Sequence, residues 1–126
     1  MKRLHRKPTD GELSILRVLW TEGPSTVRQV AEALGPDTGY TTALKQLQIM
    51  TEKGLVRRDE RSRTHVYETT YSQDVTQRTL VSDLLDRAFG GSAAKLVLQA
   101  LATSKASPEE LADIKRLIDK KRGGSR

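Results

Sequence analysis

The chain has no cysteine, a single tryptophan and a single phenylalanine, and aromatic residues make up only 4% of its 126 positions. The missing thiols exclude disulfides and thiolate metal sites. Histidine is scarce too: His5 and His65 lie far apart, whereas a zinc site needs three or four ligands. Neither histidine has an evident partner for nucleophilic or acid–base work, and the serines fall at helix starts or in loops, so neither an enzyme nor a cofactor is expected. No apolar run approaches the length of a membrane span, so no membrane insertion is expected. The opening MKRLHRK leads into TDGEL and not into an apolar signal-type segment, which predicts a cytoplasmic protein. Hydrophobic residues are 36% of the chain. That is thin for one subunit's core at this length and favours burial shared between subunits.

Positive charge is what the chain has in excess. Lys and Arg number 22 against 16 Asp and Glu, a formal charge of +6, which suits a polyanionic partner. The stretch Tyr40–Lys53, YTTALKQLQIMTEK, gives that charge a context. Ala43, Leu44, Leu47 and Met50 fall on one face of a helix. Thr41, Lys45, Gln48, Ile49 and Glu52 fall on the other, with Thr42 and Gln46 at its edges. Hydroxyl, amide and amine groups of this kind read base edges and touch phosphates. The same pattern also suits an ordinary amphipathic surface helix, so its neighbours decide.

Upstream, Thr9-x-x-Glu12 has the form of a capping box. It opens a helix to about Glu22, with Leu13, Leu16, Leu19 and Trp20 buried and Ile15 alongside. After Gly23-Pro24, Ser25 is expected to cap a helix over Thr26–Leu34. Its Val27, Val30, Ala31 and Leu34 face inward, and Arg28 projects to the other side, toward where a phosphate could sit. Gly35-Pro36 ends it, and Asp37 or Thr38 is expected to cap the next helix. Two short helices joined by a tight turn, the second with a polar outer face, make a helix-turn-helix. Gly54 closes that second helix. RRDERSRTHVYETT then reads as a hairpin, with strands Val56–Asp59 and Thr64–Thr69 and a tip at Glu60–Arg63. A hairpin in this place is the wing of a winged helix, and Arg61 and Arg63 are its candidates for the DNA backbone.

Composition shifts at Tyr71-Ser72. Ser72 can cap a helix to Phe89 carrying Leu80, Val81, Leu84, Leu85 and Phe89. Ser92 caps AAKLVLQALA, apolar on nearly all sides and therefore expected to be buried. Ser107-Pro108-Glu109-Glu110 is a second capping box ahead of Leu111, Ile114, Leu117 and Ile118. Three such helices cannot bury their apolar faces alone, but two copies can, which predicts a homodimer. Its expected contacts are Leu80, Leu84, Leu85, Phe89, Val97, Leu98, Leu101, Leu111, Ile114 and Ile118. The expected organisation is a basic arm over 1–8, a winged helix-turn-helix domain over 9–71, a three-helix dimerisation region over 72–121 and a disordered basic tail over 122–126. The fold class is mainly α with a small β-hairpin.

The segments LRVLWTEGPSTVRQVAEAL, GYTTALKQLQIMTEKGLVRR, RTHVYE, LLDRAFGGSAAKLVLQAL and SPEELADIKRLI, in this order, resemble the BlaI/MecI/CopY family of bacterial repressors from about Thr9 to Lys121. The resemblance implies a winged helix-turn-helix with a helical dimerisation region, repressing genes for β-lactam resistance, copper homeostasis or related stress responses from palindromic operators. It assigns Tyr40, Thr41, Thr42, Lys45 and Gln46 to the recognition helix and Arg61 and Arg63 to the wing. The chain departs from the family pattern in three places. Ile49 stands where many relatives carry a basic residue; it either touches a thymine methyl or marks a lost contact. The cysteine cluster of the copper-responsive branch is absent, which rules out thiolate copper sensing. The β-lactam branch is cleaved, through a membrane-sensor protease pathway, at an Asn-Phe pair that Gln99-Ala100 replaces here.

The expected function is a homodimeric, sequence-specific repressor that binds double-stranded DNA through Arg28, Tyr40, Thr41, Thr42, Lys45, Gln46, Gln48, Arg61 and Arg63. The competing classes are a ligand- or metal-responsive winged-helix regulator and a winged-helix protein-interaction module without DNA binding.

Overall fold

The structure, a computed structural model, describes residues 7–124. The expected arm over 1–8 lies outside the described residues as far as residue 6; Lys7 is exposed, but Pro8 is already buried. In chain order the elements are α1 (Asp10–Glu22), α2 (Val27–Leu34), α3 (Tyr40–Lys53), β1 (Val56–Asp59), β2 (Val66–Thr69), α4 (Gln73–Phe89), α5 (Ala93–Thr103) and α6 (Pro108–Gly124). No helix among the described residues is long and apolar enough to cross a membrane. The chain divides into two compact parts, one ending at Ser82 and the other beginning at Asp83. The division falls inside α4 and not at Tyr71, because α4's first turns belong with the winged part: Thr76 is buried there.

In the first part, α1 starts at the expected capping box. The Glu12 amide donates to the Thr9 hydroxyl, and Glu12 Oε1 accepts from the Thr9 amide at 2.9 Å. Each bond satisfies a donor that a helix start leaves free. Glu12 itself is buried, and its Oε2 accepts from Lys53 Nζ at 2.7 Å. This ties the start of α1 to the end of α3. Burial pushes the Glu12 carboxyl up, but the bonds from Lys53 and Thr9 outweigh it and hold the group below its ordinary value.

α2 differs from its expected start. Thr26, not Ser25, is the N-cap, in a capping box with Gln29. Ser25 is buried and serves as a one-residue third strand: it exchanges backbone bonds with Tyr67 at 3.0 and 2.8 Å, and its hydroxyl donates to the Gly23 carbonyl. The x-x-Gln spacing after Thr26 explains the shift, because only Thr26 has a reciprocal partner three residues on. α3 begins after Gly39, with no side-chain cap, in place of a cap by Asp37 or Thr38.

Gly54, at φ +80°, ends α3 in the left-handed conformation that glycine adopts without steric cost. The Leu55 amide then donates to the Met50 carbonyl, and the chain turns so that Leu55 and Val56 enter the core. β1 and β2 pair antiparallel, from Val56 opposite Thr69 to Asp59 opposite Val66. β2 is shorter than expected: Thr64 and His65 lie in the loop. The core joins Ile15, Leu16 and Leu19 of α1, Val27, Val30 and Ala31 of α2, and Ala43, Leu47 and Met50 of α3 to Leu55, Val56 and Tyr67. Full burial of each larger apolar side chain stabilises by about 1.5–3 kcal/mol. Trp20 and Leu44 pack against this core half-buried, and the Trp20 indole N–H has no hydrogen-bond partner among the described residues.

In the second part, the expected caps form: the Ser92 hydroxyl accepts from the Lys95 amide, and Ser107 and Glu110 make a reciprocal box. α5 has no buried residue, and Leu98 is 66% exposed. The single chain therefore leaves uncovered the helix that was expected to be buried. α6 continues through Gly124, so residues 122–124 of the expected disordered tail are helical; residues 125 and 126 lie outside the described residues.

Candidate nucleic-acid interface

The packing of α3 fixes which of its side chains are available. Ala43, Leu47 and Met50 are sealed in the core. Thr41, Lys45, Gln48, Ile49 and Glu52 are exposed, as is Tyr40 at the first turn. The tight turn after α3 brings the hairpin back beside this exposed face. Between them lies a cleft of about 680 Å³ whose walls include Arg28 from α2, Tyr40 and Gln48 from α3, and Arg58, Arg63 and His65 from the wing. No Asp or Glu lines it. Arg28 and Arg63 make no ion pair among the described residues, and neither does Lys45, so their positive charge faces outward unneutralised.

The structure separates the expected wing residues. Arg63 lines the cleft. Arg61 does not, and its guanidinium forks onto Asp59, with Nη2 to Oδ2 at 2.6 Å and Nε to Oδ1 at 3.0 Å. The Arg61 amide also donates to Asp59 Oδ1. These bonds, the side-chain one first, hold the Asp59 carboxyl at about 2. Arg61 thus carries its own counter-charge.

The two edge residues of α3 also separate from the rest. Thr42 and Gln46 line a different, smaller cleft of about 230 Å³ toward α1. Gln46 is half-buried there, against Gly11, where even a Cβ would stand 2.9 Å from its Nε2. Gln46 therefore does not join Lys45 and Gln48 on the outer face.

Arg58 and His65 were not among the expected site residues. Arg58 could have been found from strand alternation, since it lies two residues from buried Val56 and so on the same face of β1. It pairs with Tyr67 across the hairpin and donates to Glu60. His65 carries no local signal, because its place depends on the end of β2.

The expected dimer contacts divide by exposure. Leu84, Val97, Leu98, Leu111 and Ile118 are exposed, while Leu80, Leu85, Phe89, Leu101 and Ile114 are half-buried. Val81 and Leu117 extend the exposed apolar set. Gln99 and Ala100, the expected cleavage pair, are exposed within α5. Their carbonyls accept hydroxyl bonds from Thr103 and Ser104 at 2.8 and 2.7 Å.

Three helices, a hairpin and a one-residue third strand, with the last of the three helices exposed beside the hairpin, define a winged helix-turn-helix. The sequence profile described as penicillinase repressor matches residues 8–120, and the chain belongs to that family. The transcriptional regulator BlaI of Mycobacterium tuberculosis, in strains CDC 1551 / Oshkosh and ATCC 25618 / H37Rv, is 37% identical to it over 82 residues. That match covers 63% of this chain and 59% of each regulator, so the chain spans about three-fifths of the length of these curated relatives. Among solved structures, the homodimeric winged helix-turn-helix DNA-binding domain of Mb0332 from Mycobacterium bovis is 26% identical, with a TM-score of 0.48, covering 68% of this chain and 77% of that one. Apo-NmtR is 29% identical, with a TM-score of 0.44, covering 79% and 70%.

Proposed function

We propose that the chain is a sequence-specific DNA-binding transcriptional repressor, and not an enzyme, that acts in the cytoplasm as a homodimer on a palindromic operator. The observation that carries this reading is the cleft between α3 and the wing, lined by Arg28, Arg58 and Arg63 and by no carboxylate. In this reading α3 enters the major groove. Thr41, Lys45 and Gln48 meet base edges, Lys45 being suited to the acceptors of guanine and Gln48 to adenine. Arg28 and Arg63 hold phosphates on either side and set the register. Tyr40 and Thr42 flank the groove. Gln46 supports α3 from the α1 side, and Arg61 contributes less than Arg63 because Asp59 already neutralises it.

The uncovered apolar residues of α4–α6 support dimerisation, and two-fold symmetry matches a palindrome with half-sites about one helical turn, or a multiple of it, apart. Occupying a promoter then blocks transcription, in genes of β-lactam resistance or a related stress response. Release through a membrane-sensor protease pathway would act at Gln99-Ala100. That bond sits in a hydrogen-bonded helix, so α5 must open before it can be cut.

Selection of bound duplexes from a random pool at two salt concentrations tests the reading. The expected result is enrichment of an inverted repeat whose binding weakens steeply with salt. Failure to bind any duplex would reject it in favour of a winged-helix protein-interaction module, and binding with no preferred sequence would reject its sequence specificity.

A further inference from the structure

α3 carries an apolar side chain where its face is otherwise polar. Ile49 is 36% exposed and takes no part in the core or in the apolar residues packed against it. Steps of four residues put Thr41, Lys45 and Ile49 on one stripe, with Gln48 beside it and Glu52 one turn further on. In the free chain about a third of this branched side chain's surface is open to water, on the face of α3 that the core does not use. Its surroundings also limit what could cover it. Charged Lys45 and Glu52 are its helix-surface neighbours, four residues back and three residues on, which sets it apart from an apolar patch of the size that docks a protein. In the major groove, however, the apolar group that base edges present is the C5-methyl of thymine.

We infer that Ile49 reads a thymine methyl in each half-site, next to the base met by Lys45 or Gln48. This rests on α3 entering the major groove, and it makes Ile49 a specificity-determining residue. An apolar side chain here can tell thymine from uracil, because the two bases differ only by that methyl.

The test uses the selected duplex with each thymine of the half-site replaced in turn by deoxyuridine, which pairs identically. For the wild-type chain, replacement at one position per half-site should weaken binding about three- to ten-fold, the worth of a buried methyl, and replacement elsewhere should do little. Ile49→Ala should bind the thymine duplex more weakly by a similar factor and should be indifferent to deoxyuridine at that position. Ile49→Val should keep part of the discrimination. Two results overturn the inference while leaving DNA binding intact: a wild-type chain indifferent to every replacement, or an Ile49→Ala chain that keeps the full penalty. The first needs no variant, so misfolding of a variant cannot mask it. Failure to bind any duplex overturns the proposed function and this inference with it.

Discussion

Among the arginines and lysines of the winged part, what distinguishes one side chain from another is its neutralising partner. Lys45 and Arg63 have none among the described residues, whereas Arg61 forks onto Asp59 and Arg57 pairs with Glu68 across the hairpin. Lys45→Ala should cost about 1–3 kcal/mol of operator affinity and relax preference at one base position, measured by anisotropy titration against a panel of single-base variants. An unchanged preference would remove Lys45 from the reading set. Arg63→Ala should weaken all duplexes alike and flatten the slope of log affinity against log salt by about 1. Arg61→Ala should flatten it by less, and Asp59→Asn should strengthen binding by freeing the Arg61 guanidinium. Equal slopes for the two arginine variants would contradict the role given to Asp59.

The helices and their ends were largely legible, because amphipathic spacing and capping pairs are local. Thr9/Glu12 and Ser107/Glu110 formed as read, and Gly54 closed α3. Ser25 departs from expectation because a serine after a Gly-Pro break resembles a cap, while its pairing with Tyr67 depends on a residue 42 positions away. The same limit hid the turn of Gln46 toward Gly11 and the pairing of Glu12 with Lys53, which joins α1 to α3. That pair makes a prediction at this scale. The Glu12 pKa is lowered in the folded chain, so its contribution is fully present above the ordinary carboxylate value of 4.5. It is lost as pH falls through the lower folded value. Glu12→Gln should therefore destabilise the chain by about 1–3 kcal/mol near neutral pH, and denaturant melts should show the gap to wild type narrowing as the pH drops below 4.5. A gap independent of pH would mean that the charge of Glu12 is not what stabilises the junction.

For the molecule as a whole, the hydrophobic core cluster found among the described residues has twelve buried members, running from Ile15 to Tyr67 in the winged part. α5 and α6 contribute none of them, and in the proposed homodimer a second chain covers their apolar faces. Leu98→Glu should yield a monomer by sedimentation with the winged part still folded. Operator affinity should fall about 100-fold or more, since each half then binds without the other's tethering. A Leu98→Glu chain that stays dimeric would move the interface off α5. The proposed dimer, the exposed face of α3 and the wing cleft together predict one geometry: two copies of α3 in successive major grooves on the same side of the duplex. A hydroxyl-radical footprint on the selected duplex reads that geometry directly. Two protected stretches, related by the palindrome and centred about one helical turn or a multiple of it apart, are the predicted result. A single protected stretch, or even protection along the whole duplex, would contradict it.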